Sequence, residues 1–196
     1  MKQSVVGALA LATALSAGVA QAADVDGVLK AGFDFGGDTI ASAPVDGEIV
    51  DVKANDGVFV GAGLAIFNTA RTVSTEITMS WKFTGIIAEN GDIEFTRFPV
   101  DALVFYNFAK ARIGAGATYH LNPEVEASDA GVPYVGNGTG SEKYDDALGF
   151  LVQVDWRIAE KVAIGLRYTS LEYELPNSSA AAVDASGLGG VFTAMF

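Results

Sequence analysis

Cysteine is absent from the 196 residues, and histidine occurs once. The first absence excludes a disulfide scaffold, a thiolate metal site and a cysteine nucleophile. The second excludes a multi-histidine metal centre. Positive charge is scarce: 12 Lys and Arg stand against 24 Asp and Glu, a formal net charge of −12. Nucleic acid is not a partner on that balance, because phosphate binding needs clustered basic residues. Charge of either sign is low, at 18% of residues against roughly 25% in an average soluble domain. No Walker loop, Rossmann glycine pattern or zinc spacing occurs. The chain is instead rich in Gly, Ala, Val, Thr and Phe, a composition that favours strands and tight turns over long helices.

The first 23 residues, MKQSVVGALALATALSAGVAQAA, form an address. Lys2 is a short positive region, Val5 to Leu15 an apolar stretch, and Ala20-Gln21-Ala22 a small-x-small cleavage pattern. The apolar stretch is shorter than the about 20 residues of a transmembrane helix, and no later run reaches that length. The segment reads as a secretory signal over 1–22, leaving 23–196 as one exported domain.

Within that domain, hydrophobicity repeats with period two. In VSTEITMSWKF (73–83), Val73, Thr75, Ile77, Met79, Trp81 and Phe83 share one face, and Ser74, Glu76, Thr78, Ser80 and Lys82 the other. The same split recurs at 29–35, 97–108, 110–121, 148–157, 162–169 and 188–196. The segment GVFVGAGLAIF (57–67) is ambiguous: Val58, Val60, Leu64 and Ile66 compete with Phe59 and Phe67 for the apolar face. About eight strands result, each near the roughly 9–11 residues that cross a bilayer at a tilt. Links near 68–72, 108–110 and 158–161 are short, whereas those near 36–56, 122–145 and 176–184 are long and rich in Asp, Gly, Pro and Asn. Short turns at one end and long loops at the other describe an outer-membrane barrel. Asp46-Gly47 and Asn90-Gly91 are hairpin-tip dipeptides, so the first two long hairpins are expected to project as paired strands.

A soluble sandwich or lipocalin-type barrel has the same period with its apolar face inward. Two features favour the inverted arrangement. Aromatic residues lie near strand ends on the apolar face (Trp81, Phe83, Phe98, Tyr106, Phe108, Tyr119, Phe150, Trp156, Tyr168), as girdles at two interfaces require. Leu188, Phe192 and Phe196 recur every four residues, so all three share the outer face of the last strand.

The segments GFDFGGDT (32–39), FTRFPVDALVFYNFAKARIGAGATYHLNP (95–123), DDALGFLVQVDWRI (145–158), VAIGLRYTSLEYEL (162–175) and the terminal GLGGVFTAMF resemble, in order and spacing, the small outer-membrane barrel superfamily of the OmpA transmembrane domain, OmpX and OmpW. The resemblance spans essentially the whole exported domain. It implies an all-β fold, a closed antiparallel transmembrane β-barrel of about eight strands, located in the outer membrane. It implies a monomer contacting outer-membrane lipids and lipopolysaccharide, and the barrel assembly machinery during insertion. It also implies that a terminal Phe belongs to the assembly signal, here Leu188, Phe192 and Phe196.

An inverted barrel places the polar-face charges inside. These are Lys30, Lys82, Arg97, Lys110, Arg112, Arg157 and Arg167 against Asp34, Glu76, Asp101 and Asp155. An anion-preferring pore and a lumen filled by paired charges are the two readings. Eight strands leave room for little more than side chains, and buried charges persist when paired, which favours the filled lumen. His120 is the only candidate general base. It lacks the His-x-Ser arrangement that the lipid A deacylase family would imply, so no catalytic, cofactor or metal residue is assigned. Seventeen acids fall in the long loops against Lys53 and Lys143. They are expected to form a solvated, repulsive surface, with divalent-cation bridging to anionic lipids as the alternative. The functional expectation is a structural, surface-interaction or minor small-solute transport role without enzymatic activity. A lipid-modifying barrel enzyme and a soluble periplasmic lipocalin-like module are the alternatives.

Overall fold

A computed structural model describes residues 24–45, 48–88, 91–127, 140–176 and 181–196. The N-terminal address segment and the hairpin tips at 46–47 and 89–90 lie outside the described residues. Thirteen strands are described: β1 (Asp24–Phe35), β2 (Thr39–Val45), β3 (Glu48–Lys53), β4 (Gly57–Phe67), β5 (Val73–Ala88), β6 (Gly91–Asn107), β7 (Ala111–Ala127), β8 (Gly140–Lys143), β9 (Ala147–Ala159), β10 (Val162–Ser170), β11 (Glu172–Tyr173), β12 (Val183–Asp184) and β13 (Gly187–Met195). Eight of these, β1, β4, β5, β6, β7, β9, β10 and β13, pair antiparallel in that order. Pairing of β1 with β13, from Val28↔Met195 to Phe35↔Leu188, closes the sheet into a barrel. Closure removes the unpaired edges that an open sheet would present.

The turns at 68–72, 108–110 and 160–161 lie at the end that also holds Asp24 and Phe196. The other end carries the longer connections, including the β2–β3 hairpin, the β8 strand paired to β7, and the short β11–β12 ladder. Both paired projections expected at 36–56 and around 89–91 are present on either side of the tips.

The faces follow the alternation. Ser74, Glu76, Thr78, Ser80 and Lys82 are buried inside, while Ile77, Met79 and Trp81 are exposed on the outer wall. Leu29, Phe33, Val104, Tyr106, Ile113, Phe150, Trp156, Ile164 and Phe192 extend this apolar outer wall around the barrel. A lipocalin-like module would reverse both faces, so this arrangement suits lipid outside. The ambiguous strand is resolved as well: Phe59, Ala65 and Phe67 are buried inside, and Val58, Val60 and Leu64 face out.

One irregularity redirects a strand. Asn122 adopts φ 47°, a left-handed conformation that Asn tolerates better than most residues. It inserts one extra residue into β7 opposite β6, where the register slips between Thr96 and Phe98. Below this bulge Arg112, Thr118 and His120 point inward; above it Val125 and Ala127 do. The Asp146 carboxylate accepts the Asn122 backbone N–H at 2.9 Å and fixes the turn of the strand.

Candidate functional site

The barrel interior is built in tiers. At the short-turn end Val28, Ala65 and Phe67 form an apolar floor with Met195 against it. Above it lies a closed ring of polar groups from four strands. Lys30 of β1 pairs with Glu76 of β5, and Glu76 accepts from Arg112 Nη1 of β7 at 2.8 Å. Arg112 Nε donates to Asp155 of β9 at 2.6 Å, Gln153 Nε2 donates to the same carboxylate at 2.9 Å, and Lys30 Nζ reaches Gln153 Oε1 at 3.5 Å. Two cations and two carboxylates balance. Phe105 packs inward with Leu103 and Leu151, and the Arg112 guanidinium lies 4.0 Å from its ring centroid.

The upper tier is a second neutral set. Lys82 Nζ donates to Asp34 at 2.6 Å and to Asn55 Oδ1 at 2.9 Å. Arg167 reaches Asp34 at 3.2 Å and Asp101 at 3.5 Å, and Thr118 Oγ1 donates to Asp101 at 2.6 Å. Arg97 stands outside this pairing. Its guanidinium is fully buried, donates through Nη2 to the Asp56 carbonyl at 2.5 Å and lies 4.2 Å from the Phe95 ring centroid.

Over the polar tiers sits a hydrophobic cap made from the projecting segments. Ile40, Ala41 and Val52 come from the β2–β3 hairpin, Ile93 and Phe95 from β6, and Val125 and Ala127 from β7 beyond the bulge; Ala54, Tyr144, Ala147, Leu171, Tyr173 and Ala185 complete it. Tyr173 is the link between cap and lumen. Its ring meets Phe95 and Tyr144 edge-on or tilted, and its hydroxyl lies 2.6 Å from His120 Nδ1. Burial pushes the Tyr173 phenol up to about 12, against the opposing pull of Arg97.

Nine of the eleven charged residues expected in the lumen are buried there: Lys30, Asp34, Glu76, Lys82, Arg97, Asp101, Arg112, Asp155 and Arg167. Lys110 and Arg157 are not. Lys110 lies exposed in the turn between β6 and β7. Arg157, at the exposed end of β9, donates to the Phe108 and Ala109 carbonyls and so caps that turn. Strand alternation carries no information on depth along the barrel axis, and at the barrel mouth both residues meet water. Leu188, Phe192 and Phe196 all stand on the outer wall, and Phe196 pairs through its backbone with Gly27 of β1. A side chain at Gly27 would collide with the Phe196 ring. His120 is enclosed and contacts Tyr173; among the described residues no serine or carboxylate bonds to it. No cluster of three His, Asp or Glu placed to hold a metal occurs among the described residues. On the outer flank of the long-loop end, a groove of about 880 Å³ is lined by Tyr119, Asp145, Asp146, Leu148, Glu172 and Glu174.

The cap was not anticipated from sequence. Its residues are small apolar islands among loop acids, and a signal for it exists in Ile93-x-Phe95 and Val125-x-Ala127, each continuing strand alternation past the bilayer.

The sequence matches the family described as outer membrane protein beta-barrel domain over residues 7–196. The chain belongs to this family. Its location is accordingly the outer membrane. Comparison with curated proteins finds no match. Among solved structures, the fold is similar to that of Ail, the attachment invasion locus protein of Yersinia pestis, in complex with the heparin analogue sucrose octasulfate: TM-score 0.54 at 10% identity, covering 88% of this chain and 98% of Ail. Ail without that compound aligns at TM-score 0.52 and 11% identity, over 87% of this chain and 96% of Ail. Neisserial surface protein A aligns at TM-score 0.46 and 12% identity, over 89% and 97% of the two chains. At such identities the likeness to Ail is one of fold.

Proposed function

We propose that this member of the outer-membrane barrel family is a closed, non-catalytic barrel with a structural and surface-interaction role rather than a pore. The observation that carries this reading is the set of two neutral ion-pair tiers between an apolar floor and an apolar cap, which supports a filled lumen. A water-filled conduit would need its polar groups lined along a wall, whereas here they bond across the interior to one another. The single histidine serves as a seat for Tyr173, which argues against a general-base role.

In this reading residues 1–22 direct export and are removed, and the outer strand face Leu188, Phe192 and Phe196 presents the assembly signal to the insertion machinery. The monomer contacts lipid along its wall and lipopolysaccharide at its acidic end. Ail has been crystallised with a sulfated sugar, but here the long loops carry Lys53 and Lys143 among seventeen acids. Polyanions are therefore disfavoured at this surface, and cationic contacts are favoured, the groove beside Tyr119 included.

The test is planar-bilayer recording of the purified, folded protein. The expected result is no large, stable conductance step in the full chain. Regular large steps would refute the closed lumen.

A further inference from the structure

The rim at the short-turn end is charged unevenly. At the turn between β4 and β5, Arg71 is held by both Asp24 and Asp26, so that arc is slightly acidic. The arc made by the turns at 108–110 and 160–161 is the reverse. Lys110, Arg157 and Lys161 are exposed there, with Glu160 as the acidic side chain beside them. None of the three cations pairs with a carboxylate among the described residues. The two turns are tied together: the Arg157 backbone N–H donates to the Lys110 carbonyl at 2.9 Å, and its guanidinium donates to the Phe108 carbonyl at 3.1 Å and the Ala109 carbonyl at 3.3 Å. Neutral carbonyls fix that cation in place without cancelling its charge. Three cations against one carboxylate leave this arc with a surplus of positive charge.

The apolar wall begins immediately beside these cations. Phe108, Trp156 and Ile158 are exposed on its outer face, and the Phe108 ring meets Tyr106 edge-on at 4.9 Å. Aromatic residues in such a position sit at the level of lipid headgroups, and short turns mark the periplasmic end of an outer-membrane barrel. The basic arc therefore borders the headgroups of the periplasmic leaflet, at the opposite end from the acidic loops. A zwitterionic headgroup carries its own cation and leaves the surplus on the protein unanswered. A headgroup of net negative charge answers it, and Lys and Arg within a Debye length of an anionic lipid surface are attracted to it.

We propose that this arc is a docking site for an anionic phospholipid of the periplasmic leaflet. The phosphate group sits among Lys110, Arg157 and Lys161, and the acyl chains lie along Phe108, Trp156 and Ile158. The site gives the barrel a preferred lipid on one side of its lower rim, because the Arg71 arc has its cation already matched by two carboxylates. This inference rests on the lipid-facing wall of the proposed function and is independent of whether the lumen is closed.

The chain's two tryptophans make the test direct. Trp156 stands beside the basic arc, near the end of β9, whereas Trp81 lies further up β5 against Phe83. The full exported chain is folded into phosphatidylcholine bilayers that contain either phosphatidylglycerol or phosphatidylcholine with brominated acyl chains, which quench tryptophan on contact. In Trp81→Phe, which leaves Trp156 as the reporter, brominated phosphatidylglycerol should quench at about one-fifth the mole fraction that brominated phosphatidylcholine requires. Adding Lys110→Gln and Lys161→Gln leaves Arg157 against Glu160 and should abolish the difference, while Lys110→Arg with Lys161→Arg should keep it. In Trp156→Phe, which reports from Trp81, the two lipids should quench alike. Equal quenching of Trp156 by both lipids, a preference that survives the double glutamine variant, or the same preference at Trp81 would each overturn the proposal. Should the glutamine variant fail to fold, the comparison of Trp156 with Trp81 in the otherwise native chain decides the matter. Failure of either lipid to quench either tryptophan would refute the lipid-facing wall itself, and equal quenching by both refutes the docking site alone.

Discussion

Glu76 offers the sharpest test of the interior. It is 1% exposed and is the one carboxylate shared by Lys30 and Arg112. In Glu76→Gln, Arg112 keeps Asp155 at 2.6 Å, but Lys30 is left with the Gln153 amide oxygen at 3.5 Å and no carboxylate. Removing one partner of a buried ion pair costs about 3–5 kcal/mol. The lower tier would carry one uncompensated cation, so the variant should lose that much stability. Lys30→Met with Glu76→Gln removes the imbalance, and the double variant should recover about 2–3 kcal/mol relative to additivity. Urea unfolding in detergent micelles reads both numbers, followed by Trp81 and Trp156 fluorescence and by mobility of unboiled samples on gels. Lys143→Gln is the control: its pair with Glu124 is solvent-exposed, and its loss should cost less than about 1 kcal/mol. A Glu76→Gln cost no larger than that control, or strict additivity of the double variant, would mean that water screens the lumen, and the argument for a closed interior would fail.

Other perturbations probe the wall, the bulge and the cap. Asn122→Ala forces a residue with a β-carbon and no side-chain hydrogen-bonding group to hold φ 47° and should cost about 1–2 kcal/mol, whereas Asn122→Gly should be near neutral; the same unfolding assay reads both. Deleting Phe196 should impair insertion and leave degraded or periplasmic material, while exchanging the tips at 44–48 or 128–142 should preserve the heat-modifiable band; normal assembly without Phe196 would refute that division. The Tyr173 phenol, shifted by burial from its usual 10.0 to about 12, should add no pH dependence below 10. As pH rises from 10 towards 12 the unfolded chain loses its proton first, so stability should fall over that interval, and Tyr173→Phe should abolish this component of a pH titration of the unfolding midpoint.

Much of this architecture is written locally. Period-two alternation is enforced by the geometry of an extended backbone, so 73–83 declares its two faces wherever it sits. The aromatic ends of the strands, the turn-rich links and the spacing of Leu188, Phe192 and Phe196 are likewise properties of short stretches. What alternation cannot carry is height along the barrel axis. Lys110 and Arg112 share a parity, yet one lies exposed in a turn and the other is locked between Glu76 and Asp155. Their difference arises from register with strands more than thirty residues away.

The strand at 57–67 shows the same limit from the other side. Phe59 is as apolar as Val58, and its place under Arg167, 4.6 Å from the ring centroid, exists because β10 is brought opposite it by closure through β13. The cap required more still. Ile40, Phe95, Val125 and Tyr173 come from four separate projections, none of which can bury apolar area alone. The left-handed residue Asn122 turns Val125 and Ala127 inward by shifting parity one step. Local pattern thus fixed which residues meet lipid. Long-range pairing chose which charges balance, because charge neutrality is a property of a compartment and compartments form only when distant strands close around them.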